Sequence, residues 1–499
     1  MKRSKFIIAI LAVLVGCSPQ LAQAQFALTE PIVTAGGGRL AVDNLELDGI
    51  IGQPFVGAGS FAAPFGLSSG FWSIAPVAAT ITVNTTAENA VNNGTDCTIG
   101  DAIRAANTDT PVNGCAAGNG ADTIVIPAGT YTLSSIAEGS STALPIIRTD
   151  MTLSGAGPNL TIIERSLAPL TPEFRILAGI WQIADRNVTL SGLTIRNGKL
   201  PDNGNASNGG ALFSQFTLTI ADCAFANNQT GSHGGAINAS AAALLISNST
   251  FSNNRAGTAY SGGAIMAGVA SGIQINNSHF SDNTAHYGGA IAAAYGTDTF
   301  ITDSTFTNNQ ALLGNGGAVS SNNRAEAIRS VFSSNTAHID GGAIYGNPVI
   351  VRTSVIQNNT AVDNGGGIAV QPTGGAWISI DDSTISGNQA GGYGGGTANG
   401  TFSMTNSTVS GNSAGASGGG ITAGNAVTMS INNSTITNNT ADSNGDSFGF
   451  GGGIHTSVAV TSIKNSIIAG NIRSGSPDCQ SDWNAPVASS GYNLIGNAT

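Results

Sequence analysis

The feature that most constrains this chain is a pair of interleaved motifs that return every 24 to 33 residues. Gly-Gly-Ala-Ile, or a near variant, starts at Gly209, Gly234, Gly262, Gly288, Gly316, Gly341, Gly365, Gly394, Gly418 and Gly451. Between copies stands an apolar residue with Asn three positions later. The pairs are Phe225/Asn228, Phe251/Asn254, Phe280/Asn283, Phe306/Asn309, Phe332/Asn335, Ile356/Asn359, Ile385/Asn388, Val409/Asn412, Ile436/Asn439 and Ile468/Asn471. A period of this length marks a solenoid, each copy forming one coil stacked on the last.

Aligning the copies on that apolar residue draws the coil. Seven and five positions earlier the chain is mostly apolar, as in Leu244 and Ile246, Ile273 and Ile275, Ile378 and Ile380. Alternation with period two predicts a strand. Three positions earlier stands mostly Asn or Asp, among them Asp222, Asn248, Asn277, Asp303, Asp382 and Asn406. Both types tolerate a left-handed backbone, so a bend is expected there in every coil. Two positions earlier runs a column of Ser from Ser249 to Ser466. Cys223 falls in that column, which makes it a small buried residue rather than a reactive thiol. Each coil then holds a Gly-Gly-Ala-Ile strand, a variable loop, a strand ending at the bend, a short strand ending at Phe or Ile, and a turn. Stacking at about 4.8 Å per coil turns the Asn residues into an amide ladder and the Phe and Ile residues into an internal stack. No heptads exist, and the coil is too short for a four-stranded propeller blade.

Composition and charge narrow the function. Charged residues make up 9% of the 499, with 69 Gly, which does not suit charged helix surfaces. A net charge of −11 and no basic patch argue against nucleic acid and anionic membranes as partners. Export is signalled by Lys2, Arg3 and Lys5, then an apolar run from Phe6 to Gly16 that is too short to span a bilayer. Two readings of the leader stand together: cleavage after Ala22-Gln23-Ala24, or lipidation at Cys17 within Leu14-Val15-Gly16-Cys17. No later segment reads as a transmembrane helix. Export permits disulfides, and Cys97 and Cys115, close together and flanking one helix-like segment, are the expected pair.

The alternation of Gly-Gly-Ala-Ile with Phe-x-x-Asn resembles the repeats of polymorphic outer membrane proteins and other right-handed parallel β-helix proteins of the pectin-lyase-like superfamily. It covers roughly residues 188–473. Asp96-Cys97-Thr98-Ile99-Gly100-Asp101-Ala102-Ile103-Arg104 resembles the Cys-Ser-Leu-Arg-Glu-Ala-Ile motif that opens many such bacterial proteins, departing from it at Thr98 to Asp101. Asn465-Ser466-Ile467-Ile468-Ala469-Gly470-Asn471 with Gly491-Tyr492-Asn493-Leu494-Ile495-Gly496 is similar to the end of surface proteins described as choice-of-anchor. In that family an anchoring segment follows, so the anchor is missing here or the sequence is truncated, and Cys479 has lost a downstream partner in the same way. The expected class is all-β: a right-handed parallel β-helix with an N-terminal capping helix and a small β-rich module. Its parts are a signal peptide at 1–24, the module at 26–78, linker and cap at 79–121, the β-helix at 122–473 and an end segment at 474–499. In the cap, Thr98 and Asp101 read as a capping box, with Ile99, Ala102, Ile103 and Ala106 on one face.

The resemblance implies that any catalytic groups would sit on or beside one sheet, most plainly the Gly-Gly-Ala-Ile sheet. With its Ile inward, the outward residues are expected to be Ala236 and Asn238, Ala264 and Met266, Ala290 and Ala292: a small, uncharged, flat strip. The best titratable column lies before the glycines, where His338, Asp340 and Asp363 could form a general acid–base pair. A solvated polar turn with ordinary pKa values explains them better. Asp442-Ser443-Asn444-Gly445-Asp446 has the flavour of a calcium loop through Asp442, Asn444 and Asp446, and a surface turn explains it as well. Asp303 and Arg329, at equivalent positions of adjacent coils, read as a structural ion pair. The leading expectation is a monomeric, exported, adhesin-like protein of the cell surface or outer membrane. It needs no cofactor, calcium aside, and presents a flat face to a glycan or protein. The alternative is a polysaccharide lyase or glycoside hydrolase on the same fold.

Overall fold

The computed structural model describes residues 38–42, 45–49, 68–69 and 72–73. From 78 to 496 it describes all but 90–93, 138–140, 180–185, 203–207, 241–242, 269–271, 373–374, 425–427, 457–459, 474–477 and 482–486. The chain divides into Met1–Val77 and Ala78–Thr499. In the first unit Gly38–Val42 pairs antiparallel with Leu45–Gly49, and Ser68–Ser69 with Trp72–Ser73. The leader, Cys17 included, lies outside the described residues.

The second unit is a right-handed parallel β-helix. Among the described residues its first sheet has 15 strands, from Thr80–Thr82 to Val487–Ser489. The second has 14, from Gly129–Leu133 to Leu494–Ile495, and carries the Phe and Ile column. The third has 12, from Leu177–Gly179 to Cys479–Ser481, and carries the Gly-Gly-Ala-Ile strands. Register joins like to like: Phe225 pairs with Phe251, and Phe251 with Phe280. A fourth sheet of six two-residue strands, from Thr284–Ala285 to Ser413–Ala414, follows the second in six of the described coils. Two residues cannot display an alternation, so the motif spacing does not reveal it.

Each coil turns its corners on left-handed residues. In the coil of Phe251 these are Asn248 (φ 50°), Asn253 (φ 53°) and Gly262 (φ 74°). The first is the expected bend; the second, just before the ladder Asn, is an additional one. At the third corner a Cβ on Gly262 would lie 2.2 Å from the Ile265 carbonyl oxygen. The second glycine is needed for a different reason: a Cβ on Gly263 would lie 2.0 Å from the backbone oxygen of Gly289 in the next coil. One glycine serves the turn and the other the stacking distance.

Inside, the rings of Phe225, Phe251, Phe280, Phe306 and Phe332 stack with centroids 4.7 to 4.9 Å apart. The Asn column is buried beside them. Asn309 donates from both its backbone N–H and its Nδ2 to Oδ1 of Asn335, at 2.9 and 3.0 Å, and Nδ2 also reaches the Phe280 carbonyl at 3.0 Å. The Ser column forms a second ladder: the Ser304 N–H donates to Ser330 Oγ at 3.1 Å. Cys223 takes one place in it, donating its N–H to Ser249 Oγ, and burial pushes its thiol up to about 11.

Three expectations need correction. The β-helix is longer than 122–473, since Thr80–Thr82 already pairs with Asp122–Ile126 and a further rung is built from Cys479–Ser481, Val487–Ser489 and Leu494–Ile495. In that rung Asp478 accepts the Asn471 N–H and Nδ2, both at 2.9 Å, in the place of a ladder Asn. Asn493 accepts the Ser466 N–H in the place of a ladder Ser. Cys479 pairs with Ile454 and is 3% exposed, so it fills an inward core position instead of waiting for a disulfide partner. Finally, Ala236, Ala264 and Ala290 are wholly buried with the Ile beside them. At the equivalent Gly396 a Cβ would lie 3.3 Å from the Asn412 amide, so this position is small because it rests on the Asn ladder.

At the N-terminal end the helix α1 (Ile99–Thr108) packs against Thr80–Thr82 and Asp122–Ile126 with Ile99, Ala102, Ile103, Ala105 and Ala106 buried. Thr98 Oγ1 accepts the Asp101 N–H at 3.1 Å and donates to its carboxylate at 2.8 Å. The sulfurs of Cys97 and Cys115 are joined, and both residues are buried.

Candidate functional site

The strip expected to be flat and accessible is mostly buried. Outward positions of the third sheet include Asn238 (8% exposed), Ala292 (5%), Ser320 (9%), Tyr345 (8%), Ala369 (0%) and Thr422 (6%), while Phe213 and Met266 in the same column are partly exposed. Parity fails here because the Gly-Gly corner buries the Ala inward along with the Ile.

His338, Asp340 and Asp363 lie on the corner that leads from the fourth sheet into the third. Their backbones are fixed by neighbouring coils: the His338 N–H donates to the Ala311 carbonyl and the Asp363 N–H to that of Ile339. Asp340 immediately precedes Gly341 and belongs to a further ladder. The Asp340 N–H donates to Asn315 Oδ1 at 3.1 Å. Asp340 Oδ1 in turn accepts both the N–H and the Nδ2 of Asn364, at 3.0 and 2.9 Å, and Asn364 Oδ1 accepts the Tyr393 N–H at 3.0 Å. In the same column His233 Nδ1 accepts the Ser261 N–H at 3.1 Å, and Ser417 Oγ the Phe450 N–H at 3.0 Å. Asp340 is thus one acceptor in a run of Asn, His and Ser, each holding the next coil's amide. That column is visible in the sequence only as a polar residue before Gly-Gly.

The expected ordinary pKa does not hold at Asp340. Burial raises it, the nearby Asp363 charge adds to the rise, and the Asn364 hydrogen bonds offset part of it. Tyr345 is pushed up to about 12 by burial, by the Asp340 charge and by Tyr287. His338 and Asp363 are exposed, and among the described residues no hydrogen bond or ion pair links their side chains to Asp340. Asp363 stands close enough to Asp340 for its charge to add to the raised pKa.

The Asp442 loop turns its acids on its own backbone. Asp442 Oδ1 accepts the Ser447 N–H at 3.0 Å, Asp446 Oδ1 the Phe448 N–H at 2.9 Å, and Asp446 Oδ2 the Asn444 Nδ2 at 2.8 Å. The Asp446–Phe448 bond is that of an Asx turn. Among the described residues no three His, Cys, Asp or Glu side chains come together as a metal site. Asp303 and Arg329 form a bidentate exposed pair, both bonds 2.7 Å.

Two charged features lie outside those expectations. On the first sheet the buried Glu326 bonds to both Arg324 and Arg352, and Arg324 lies over the Phe300 ring 5.3 Å from its centroid. On the second sheet Thr132, Glu164 and Arg196 occupy consecutive rungs of one outward column. They line an open cleft of about 450 Å³. With charges at 9% of the sequence, acids and bases spaced one coil apart were a readable signal of both.

Outward side chains of the second sheet are partly exposed, and those of the first, such as Ser403 and Ser430, are as exposed or more so. Thr384 and Ser386, Thr408 and Ser410, and Thr435 and Thr437 stand in two columns, each partly exposed, flanking the buried Ile385, Val409 and Ile436. Pairing in strict register repeats the hydroxyls on successive rungs.

A family model described as a right-handed β-helix region matches residues 178–403. No curated protein matches the chain. Among solved structures, the chain is similar to the A-module of the mannuronan C-5 epimerase AlgE6 of Azotobacter vinelandii, at 13% identity and a TM-score of 0.36, over 76% of this chain and 91% of that one. It is also similar to the A-module of AlgE4 of the same organism, at 15% identity and a TM-score of 0.33, over 75% of this chain and 87% of that one.

Proposed function

We propose that this chain is an exported, adhesin-like surface protein whose β-helix is a non-catalytic scaffold, binding a glycan or another protein through the outward face of the second sheet. The observation that carries the reading is the double column of hydroxyls from Thr384 to Thr437, held at the rung spacing on a rigid sheet. A hydroxyl both donates and accepts, and apart from Thr437, whose Oγ1 donates to the Ala469 carbonyl at 2.8 Å, the face suits a partner rich in hydroxyls or amides. The leader at 1–24 supports export, by release at Ala24 or a lipid tether at Cys17. The repeats, which resemble those of polymorphic outer membrane proteins, and the closing Gly-Tyr-Asn-Leu-Ile-Gly motif, which resembles the end of choice-of-anchor surface proteins, support a surface setting.

A lyase or hydrolase is the competing reading. The use of Asp340 as a ladder acceptor weighs against an acid–base pair at that corner. The test has two arms. Purified chain is screened on a glycan array and in a cell-surface pull-down, then repeated with Thr408→Val/Thr435→Val, which should lose most of the retained ligand. A polyuronate panel is assayed for unsaturated products and reducing ends; turnover abolished by Asp340→Asn would overturn the scaffold reading.

A further inference from the structure

The second-sheet face changes character at its N-terminal end. The outward column that runs as Ser252, Ser281 and Thr307 begins as Thr132, Glu164, Arg196 and Ala226. Glu164 is tied on both oxygens: Thr132 Oγ1 donates to Oε1 at 3.1 Å and Arg196 Nε to Oε2 at 2.7 Å. Its side chain is 17% exposed, against 38% for Arg196. Because Arg196 uses Nε, its two terminal amino groups make no hydrogen bond among the described residues. Asn197 and Asn227 add carboxamides from the left-handed corner (φ 63° and 55°), and Leu167, 74% exposed, adds an apolar wall. At about 450 Å³ the cleft lies within the roughly 300–1,000 Å³ range of small-molecule sites.

We infer that this cleft binds a neutral glycosyl unit, an inference that rests on the surface-binding reading above. The chemistry selects that class. Glu164 and Arg196 cancel in charge but stay rigid, offering carboxylate acceptors and guanidinium donors to vicinal hydroxyls. The two carboxamides supply both roles, and Leu167 can cover the C–H face of a sugar ring. With the Arg196 charge already paired to Glu164, a uronate finds no uncompensated cation in the cleft and meets a chain of net charge −11, so the acidic sugar is disfavoured. The cleft anchors one residue of a chain whose remainder runs along the hydroxyl columns.

The experiment is saturation-transfer NMR on the full mature chain with cellotetraose and mannotetraose as neutral probes and tetragalacturonate as the acidic one. At least one neutral probe should receive saturation and tetragalacturonate should not. Arg196→Met should weaken the neutral probe roughly tenfold, the loss expected for a hydrogen bond to a charged group. Leu167→Ser, at a largely exposed position, should weaken it without changing the melting temperature. The inference is overturned if neither neutral probe binds, if the acidic probe binds instead, or if Arg196→Met and Leu167→Ser bind like the parent. Thr408→Val/Thr435→Val separates the two readings. Cell-surface capture that survives Arg196→Met but is lost in the Thr variant leaves the face reading standing when the cleft fails.

Discussion

Asp340 shows how little a residue type says about its work until its column is known. Its neighbours along the corner ladder are Asn315 and Asn364, which give the same hydrogen bond without a charge. Asp340→Asn should therefore keep the acceptor for Asn364 and remove a carboxylate that burial disfavours. Its folded pKa is raised, so its contribution to stability is fully present below the ordinary carboxylate value of about 3.9 and is lost as pH rises through the folded value. The variant should accordingly melt higher than the parent at pH 7, by a margin that closes on acidification below about pH 4. Thermal denaturation at several pH values checks this; a variant less stable than the parent at pH 7 would mean the charge itself does work at that corner. The sequence displayed Asp340 as a titratable group beside His338 and Asp363, but not that its Oδ1 already serves two donors. Patterns report residue types in columns; hydrogen-bond saturation comes only from the stacked backbone.

At the level of elements, legibility followed the length of the signal. Strands such as Trp377–Asp381 alternate over five residues and were readable, as was the bend at Asp382 (φ 51°). The two-residue strands of the fourth sheet were not. The third sheet was readable as a sheet but not as a face, because parity was carried across a Gly-Gly corner that resets it. The cap combines both cases. α1 announces itself through Thr98 and its apolar stripe, and the bond between Cys97 and Cys115 closes a loop of sequence separation 18 around it. Chain entropy assigns such a loop about 3 kcal/mol. Cys97→Ser/Cys115→Ser should lose about that much at the N-terminal rungs, seen as faster amide exchange at Ile81, Ile103 and Ile124. Exchange at Ile385 or Ile436, far along the stack, should be unchanged; an equal loss there would show that the cap sets the stability of the whole rod.

For the whole molecule, the same stacking sets how damage spreads. Each rung touches mainly the rungs above and below, so stability is a sum of rung and interface contributions. Phe306 lies at the middle of the stack, 4.7 Å from the rings of both Phe280 and Phe332, and is wholly buried. Removing a buried aromatic costs roughly 3–5 kcal/mol, through lost burial and the cavity left behind. Collapse into that cavity is opposed by the Asn335 and Ser330 ladders, which fix the rungs beside it through bonds that do not involve the ring. Phe306→Ala should therefore keep its rung spacing while the rungs of Phe280 and Phe332 lose protection against amide exchange. The outer rungs at Ile163 and Ile468 should stay as protected as in the parent. A loss well below 1 kcal/mol would place the ring outside the core and refute the register. A loss shared equally by all rungs would instead show that the rod unfolds as a single unit, with cooperativity reaching beyond nearest neighbours.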